Sequence, residues 1–163
     1  MNIGSLLTKT AGFAPERVAV IYGDLRRTYR EMNARADRLA AALEKAGVGK
    51  GDRVAILQQN GPELLESLFG ILKAGATAVP INARSHPREY SYIIGDSGAE
   101  AIIFTENFVP GLEAVRAELP KLATFVGIGT APEWAQSYES FLSNGSTPRA
   151  DAERAGDDVA WLF

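Results

Sequence analysis

The sequence predicts an α/β fold in which repeated βα units form a mostly parallel, doubly wound sheet, preceded by an N-terminal helix and a β-hairpin. Three observations carry this. Strand candidates beginning at Arg53, Thr77 and Ala101 recur every 24 residues, about the size of a compact βα unit. Several strands, such as Ala101-Ile102-Ile103-Phe104, are apolar runs without polar alternation, as expected where helices cover both faces of a sheet. Prolines stand at or near helix starts, at Pro62, Pro87 and Pro132, where the missing N–H costs no helical hydrogen bond.

Taken in order, residues 3–11 read as a short helix ended by Gly12. Arg17 to Tyr22 reads as a strand, and Gly23-Asp24 as a two-residue hairpin turn into Leu25 to Tyr29. Thr28-Tyr29-Arg30-Glu31 has capping-box spacing and starts a long helix. Met32, Ala36, Leu39, Ala40 and Leu43 fall on its apolar face, and Arg30, Asp37, Arg38, Glu44 and Lys45 on its polar face. Gly47 is the expected stop. Strands follow at Arg53 to Leu57, Thr77 to Ile81, Ala101 to Thr105, Leu122 to Gly127 and Val159 to Phe163, with helices starting near Pro62, Pro87, Glu106 and Pro132. Residues 143–156, with Asn144-Gly145 and Pro148, read as a polar loop, of which 145–156 serves as a linker before the last strand. Asp157 to Phe163 reads as the start of a buried strand with nothing after it, so the chain looks truncated.

Composition narrows the function. The 163 residues contain no Cys and one His, which excludes a disulfide framework, thiolate metal sites, a Cys nucleophile and a His-rich metal centre. Residues 1–50 hold 9 Lys+Arg against 5 Asp+Glu, net +4, and residues 51–163 hold 8 against 15, net −7. With an overall charge of −3, nucleic acid is not an expected partner. No stretch approaches the roughly 18 apolar residues of a membrane span. The first nine residues lack the basic start and apolar run of a signal peptide, so a soluble, cytoplasmic protein is expected.

Local chemistry is sparse. There is no G-x-x-x-x-G-K-[ST], no G-x-G-x-x-G after a strand and no G-x-S-x-G. Gly47-Val48-Gly49-Lys50-Gly51 ends a helix and opens a strand, the reverse of a phosphate loop, and is read as a turn. Gly127-Ile128-Gly129-Thr130 leaves a strand but has no nearby Lys, and is read as a plain loop. His86 is read as a solvated surface residue, and Glu63 and Glu66 as helix-start acids that suit the dipole. Trp134, Tyr138 and Phe141, at i, i+4 and i+7, read as a core stripe on one helix. Asn144-Gly145-Ser146 matches a glycosylation pattern that has no meaning without secretion.

The segment Leu72-Lys73-Ala74-Gly75-Ala76-Thr77-Ala78-Val79-Pro80-Ile81-Asn82 reads physically as a helix end, a Gly-Ala turn packed against the sheet, and a strand that Pro80 terminates. It also resembles a signature of the adenylate-forming (AMP-binding) ligases. Thr28-Tyr29-Arg30-Glu31-Met32 resembles the family's early Thr-Tyr-x-Glu-Leu motif, with Met for Leu. Gly49-Lys50-Gly51-Asp52-Arg53-Val54-Ala55 and Asn60-Gly61-Pro62-Glu63 resemble the turns that follow. Pro80-Ile81-Asn82-Ala83-Arg84, then Glu89-Tyr90-Ser91-Tyr92-Ile93 and Asp96-Ser97-Gly98-Ala99, are most similar to the acyl-CoA synthetase branch, for fatty or aryl acids.

The resemblance implies that residues 1–163 are the N-terminal part of the large domain of such a ligase, ending before the Ser/Thr/Gly-rich loop that holds the ATP phosphates. It implies a parent acid–thiol ligase that uses ATP, Mg2+ and coenzyme A on a fatty or aromatic carboxylic acid. The fragment itself is expected to be inactive and to bind none of these tightly. No catalytic residue or metal ligand is assigned. Arg84 occupies the position of an Arg that in some relatives contacts a phosphate of coenzyme A, a cofactor-binding role that its guanidinium suits; the competing reading is a helix-start Arg in a surface salt bridge. Faces that the rest of a parent would cover predict a homodimer or aggregate through exposed apolar surface. The alternative is a free-standing, non-catalytic α/β binding or interaction module. A phosphorylated receiver domain is excluded, because Gln58, Gln59 and Asn60 rather than acids follow the strand ending at Leu57.

Overall fold

The computed structural model describes residues 2–147 and 149–163; Met1, and Pro148 in the expected polar loop, lie outside the described residues. The elements in order are α1 (Ser5–Phe13), β1 (Val18–Tyr22), β2 (Leu25–Thr28), α2 (Tyr29–Lys45), β3 (Arg53–Leu57), α3 (Pro62–Lys73) and β4 (Thr77–Pro80). They continue with α4 (Pro87–Ser97), β5 (Ala101–Thr105), α5 (Val109–Val115), β6 (Thr124–Ile128), β7 (Gln136–Ser137) and α6 (Tyr138–Ser143). Strands β1 and β2 form an antiparallel hairpin of their own, turning at Gly23-Asp24. The other five form one parallel sheet in the order β4-β3-β5-β6-β7.

Alternation along the central strands sorts the core into two layers. Val54 and Ile56 of β3 face α2, α3 and α6, where Leu39, Leu43, Ile71, Tyr138 and Phe141 complete one cluster. Ala55 and Leu57 face α4 and α5, where Tyr90, Ile94, Leu112 and Val115 complete the other. Both faces are covered, so every residue of β3 beyond Arg53 is buried and polar alternation has no place there. This is the expected doubly wound sheet. A third, smaller cluster of Leu7, Met32 and Ala36 seats α1 on α2.

The helix boundaries follow from local chemistry. Thr28 Oγ1 accepts the Glu31 N–H (3.3 Å) while the Glu31 carboxylate accepts the Thr28 N–H (2.7 Å), so the capping box that starts α2 is complete. Gly47, at φ 85°, follows the end of α2, and the Val48 N–H bonds back to Leu43 O at 2.9 Å. Gly75 ends α3 in the same way at φ 77°, and a Cβ there would lie 2.9 Å from that of Ala152.

Four of the expected elements need correction. Helix α1 runs through Gly12 to Phe13; Pro15, which disfavours helical backbone in the residue before it, sets the stop instead. The expected helix at Pro132 is absent: Ala131 to Ala135 form a bend, followed by the short strand β7. The reason lies in Trp134, whose ring stacks on Phe104 (5.6 Å) on one face of the sheet, whereas Tyr138 and Phe141 pack on the other. A single helix cannot serve both faces, so the chain passes the sheet edge as a strand. Strand β6 starts at Thr124 rather than Leu122, which is buried in the preceding turn. Finally, residues 159–163 form one parallel bridge, Ala78 to Trp161, instead of a buried strand, and Phe163 is 99% exposed.

The polar face of α2 also differs from expectation. Asp37, expected in solvent, is 2% exposed and accepts a 2.6 Å bond from the fully buried ammonium of Lys73 at the end of α3. Lys73 Nζ also donates to Thr8 Oγ1 (2.6 Å) and pairs with Asp151 Oδ1 (3.0 Å). Its carbonyl accepts the Ala152 N–H at 2.9 Å and Arg149 Nη1 at 3.0 Å. Residues 149–152 therefore lie against α3 through these bonds. Glu66, read as a helix-start acid that suits the dipole, is fully buried in α3; it pairs with Arg27 of β2 and Arg35 of α2 and accepts the Tyr138 hydroxyl at 3.0 Å. Burial raises the Tyr138 pKa well above the ordinary phenol range, so this hydroxyl stays a donor.

Two predictions follow from these contacts. Lys73→Met leaves Asp37 buried without its cation and costs about 3–5 kcal/mol. In urea unfolding, Asp37→Asn adds less in that background than alone; strictly additive losses contradict the pairing. The Thr28 N–H holds the Glu31 carboxyl below its ordinary pKa. The stability it lends is therefore present at neutral pH and is lost as pH falls through the carboxylate range. The unfolding midpoint of Glu31→Gln accordingly changes less between pH 7 and pH 3 than that of the wild type.

Candidate functional site

In a parallel sheet, ligands gather beyond the carboxyl ends of the strands, and the order β4-β3-β5-β6-β7 reverses direction between β3 and β5. At that switch point the polar groups largely bond one another. Gln58 Nε2 donates to Ser67 Oγ at 2.8 Å, the Gln59 N–H reaches Thr105 Oγ1 at 3.2 Å, and Thr105 Oγ1 donates to Asn107 at 2.7 Å. Further along the rim, the loop Gly127-Ile128-Gly129-Thr130 presents an N–H outward, but the chain's own Glu106 takes it: the Thr130 N–H donates to Oε2 at 2.7 Å. That bond holds the Glu106 carboxyl below its usual range. The Gly47 to Gly51 segment is a turn, with the Gly49 N–H bound by Asp52 and the Gly51 N–H by Gly75 O. Both glycine segments thus use their N–H groups internally.

The rim beyond β4 is different. Pro80 is the last residue of β4, and the chain turns through Asn82 into α4. Asn82 fixes the turn, its Oδ1 accepting the Arg84 N–H and its carbonyl the Ser85 N–H, both at 2.9 Å. His86 then caps α4. Its Nδ1 accepts the Arg88 N–H at 3.3 Å, while the Glu89 carboxylate accepts the His86 N–H at 2.7 Å. His86 is exposed, as expected of a surface residue, but its ring has this local capping role that spacing rules for metals and triads do not register.

This turn and the first two turns of α4 line an open depression of about 690 Å3 that includes Asn82, Arg84, Arg88, Glu89 and Tyr92. The Arg84 side chain is exposed, and among the described residues it makes no ion pair or side-chain hydrogen bond. Among the described residues, the salt bridge weighed for it in the sequence is not formed. Such a guanidinium is available to an anionic ligand without first losing a partner. The sequence gives Arg88 no role and Tyr92 only a place in the motif Glu89-Tyr90-Ser91-Tyr92-Ile93; the depression brings both together with Arg84.

Among the described residues, no helix is long and apolar enough to cross a membrane, and no group of three or more His, Cys, Asp or Glu side chains could hold a metal ion.

Comparison with known proteins places this geometry in context. The family profile for "AMP-binding enzyme" matches residues 7–163. The chain is 37% identical over 166 residues to the long-chain-fatty-acid–CoA ligase FadD13 of Mycobacterium tuberculosis, covering 99% of this chain and 32% of that protein. It is 35% identical over 151 residues to the 3-hydroxybenzoate–CoA/4-hydroxybenzoate–CoA ligase of Thauera aromatica, covering 91% of this chain and 29% of that protein. The crystal structure of the anthranilate CoA ligase AuaEII in complex with anthranoyl-AMP superposes with a TM-score of 0.95 at 31% identity, covering 99% of this chain and 32% of that one. The N-terminal domain of FACL13 from Mycobacterium tuberculosis superposes with a TM-score of 0.89 at 34% identity, covering 99% of this chain and 41% of that one. The chain spans about a third of the length of the curated relatives it matches. With a family profile that runs from Leu7 to Phe163 and a sheet and hairpin held in common with solved CoA ligases, the chain belongs to the family of AMP-binding enzymes.

Proposed function

We propose that the chain is the N-terminal part of the large domain of an ATP-dependent acyl-CoA ligase acting on a fatty or aromatic carboxylic acid in the cytoplasm. The observation that carries this reading is the similarity, over almost the whole chain, to CoA ligases of both substrate classes. In the proposed reaction a carboxylate oxygen attacks the α-phosphorus of ATP, and the bond to the β-phosphate breaks to release pyrophosphate. The thiol of coenzyme A then attacks the acyl carbon, loses its proton, and displaces AMP. Mg2+ would enter with the nucleotide phosphates and offset their charge.

Within this scheme the chain supplies scaffold and one binding group. The parallel sheet fixes the rim beyond β4, the Asn82 turn holds the backbone of Arg84, and the free guanidinium of Arg84 suits a phosphate of coenzyme A. Phosphoryl transfer needs cationic and N–H groups around the phosphorus, and these belong to the remaining two thirds of the proposed parent. The isolated chain is therefore inactive in this reading. It also self-associates through apolar residues that stand exposed, among them Phe13, Ile21, Tyr22 and Phe163.

Two measurements test the reading. Carboxylate-dependent ATP–pyrophosphate exchange is expected to be absent from the 163-residue chain and present when the chain is expressed joined to the rest of its parent; exchange missing from the joined protein contradicts the proposal. In that protein, Arg84→Ala raises the KM for coenzyme A about tenfold, as expected for one charge-assisted contact, and leaves the exchange rate unchanged. An unchanged KM removes Arg84 from the site.

A further inference from the structure

We propose that Arg154 is a positioning residue: together with Asp158 and Thr77 it sets the register in which residues 159–163 lie along β4. In the ligase reading above, that register aims the loop that holds the nucleotide phosphates. The inference rests on that reading for its function, and on the contacts of this chain for its geometry.

The Arg154 guanidinium joins two backbone carbonyls that are far apart in the sequence. Its Nη1 donates to Gly75 O at 2.5 Å, and its Nη2 donates to Val159 O at 2.6 Å. Its Nε pairs with Asp158 Oδ2 at 3.3 Å, and the side chain is only 9% exposed. Gly75 lies in the turn between α3 and β4, and its carbonyl also accepts the Gly51 N–H at 3.1 Å, from the turn before β3. The anchor is therefore a pair of turns that start two neighbouring strands. Asp158 repeats the link: its Oδ2 accepts the Ala155 N–H at 2.7 Å and pairs with Lys50 of the turn before β3 at 3.4 Å.

The ladder to β4 is too short to set the register alone. Residues 159–163 meet β4 at one bridge, Ala78 to Trp161. It consists of the Ala78 N–H on Ala160 O and the Leu162 N–H on Ala78 O, both at 2.9 Å. A slip of one residue would carry the segment about 3.3 Å along β4 and turn every side chain to the opposite face. The groups that oppose a slip stand at the start of the segment. Val159 O accepts both Arg154 Nη2 and the hydroxyl of Thr77, the latter at 2.9 Å. A slip in either direction takes this carbonyl away from two donors and leaves the Thr77 hydroxyl, on a residue 3% exposed, without its acceptor. Arginine suits the task because its planar fork presents several donors in fixed directions, whereas lysine offers a single ammonium. The consequence for a ligase is large, since misplacing a reacting group by about 1 Å costs on the order of a hundredfold in rate.

Hydrogen exchange of the 163-residue chain, followed by NMR, tests the geometry. In Arg154→Lys the amides of Ala78 and Leu162 are expected to exchange about tenfold faster. The amide of Ile81, which bonds Ile56 O of β3, keeps its rate. Thr77→Val, a change that removes only the hydroxyl contact, speeds the same two amides about threefold. Unchanged rates at Ala78 and Leu162 in Arg154→Lys overturn the proposal. So does an equal rise at Ile81, which marks a general loosening of the fold. In the chain joined to the rest of its parent, Arg154→Lys raises the KM for ATP in pyrophosphate exchange about tenfold and leaves the KM for the carboxylate unchanged. A lower kcat with both KM values unchanged marks a merely structural role and overturns the positioning role. Failure of the ligase reading is separate: exchange is then absent from the joined wild-type protein, while Arg154→Lys still speeds the Ala78 and Leu162 amides.

Discussion

A lysine ammonium without access to solvent is tolerated only when its donors are all satisfied and its charge is matched. Lys73 draws its partners from three separate segments: it donates to Thr8 of α1 and Asp37 of α2 and forms an ion pair with Asp151 of the stretch after α6. Removing the Lys73 ammonium itself leaves the buried Asp37 carboxylate without its cation. The arrangement therefore couples the N-terminal helix, the long second helix and the segment at 149–152 to the end of α3. The last turn of α3 is a favourable place for a cation, because the helix dipole presents its negative end there. The Gly75 turn follows directly, and β4 starts two residues later, so the same cluster also fixes where the strand below the candidate site begins.

Glu66 extends this logic to the hairpin. Its buried carboxylate holds Arg27 of β2, Arg35 of α2 and the hydroxyl of Tyr138 at the start of α6. Arg35 in turn pairs with Glu139, and although burial works against its charge, that pair keeps its pKa above the usual value. Charges on this side of the sheet are thus consumed in holding elements together. Beyond β4 the situation reverses: Arg84 and Arg88 face an open depression and have no side-chain partners among the described residues. The division separates cations that build the fold from cations available to a ligand.

Local patterns made much of this legible. The capping box at Thr28, the prolines that start α3 and α4, and the apolar runs of β3 and β5 depend on neighbours in sequence, and each appears in the structure as read. What was not legible depends on pairing across long separations. Asp37 and Lys73 are 36 residues apart, and Glu66 and Tyr138 are 72 apart, so periodicity alone puts Asp37 on the polar face and the helix dipole alone accounts for Glu66. Trp134, Tyr138 and Phe141 belong to the core as read, but not to one helix, for a related reason. Their spacing suits one helix, but the two faces of the sheet compete for the rings and divide them. For the candidate site, the resemblance singled out Arg84, while Arg88 and Tyr92 join it only once the turn and the helix are in place.

The reading of the chain as part of a CoA ligase is tested most directly by the nucleotide sequence of the source gene beyond the codon for Phe163. The account predicts an open frame that continues into a loop rich in Gly, Ser and Thr and ending in Lys, placed to hold nucleotide phosphates after the strand segment that bridges to Ala78. A stop codon at that point, or a frame without such a loop, would contradict it.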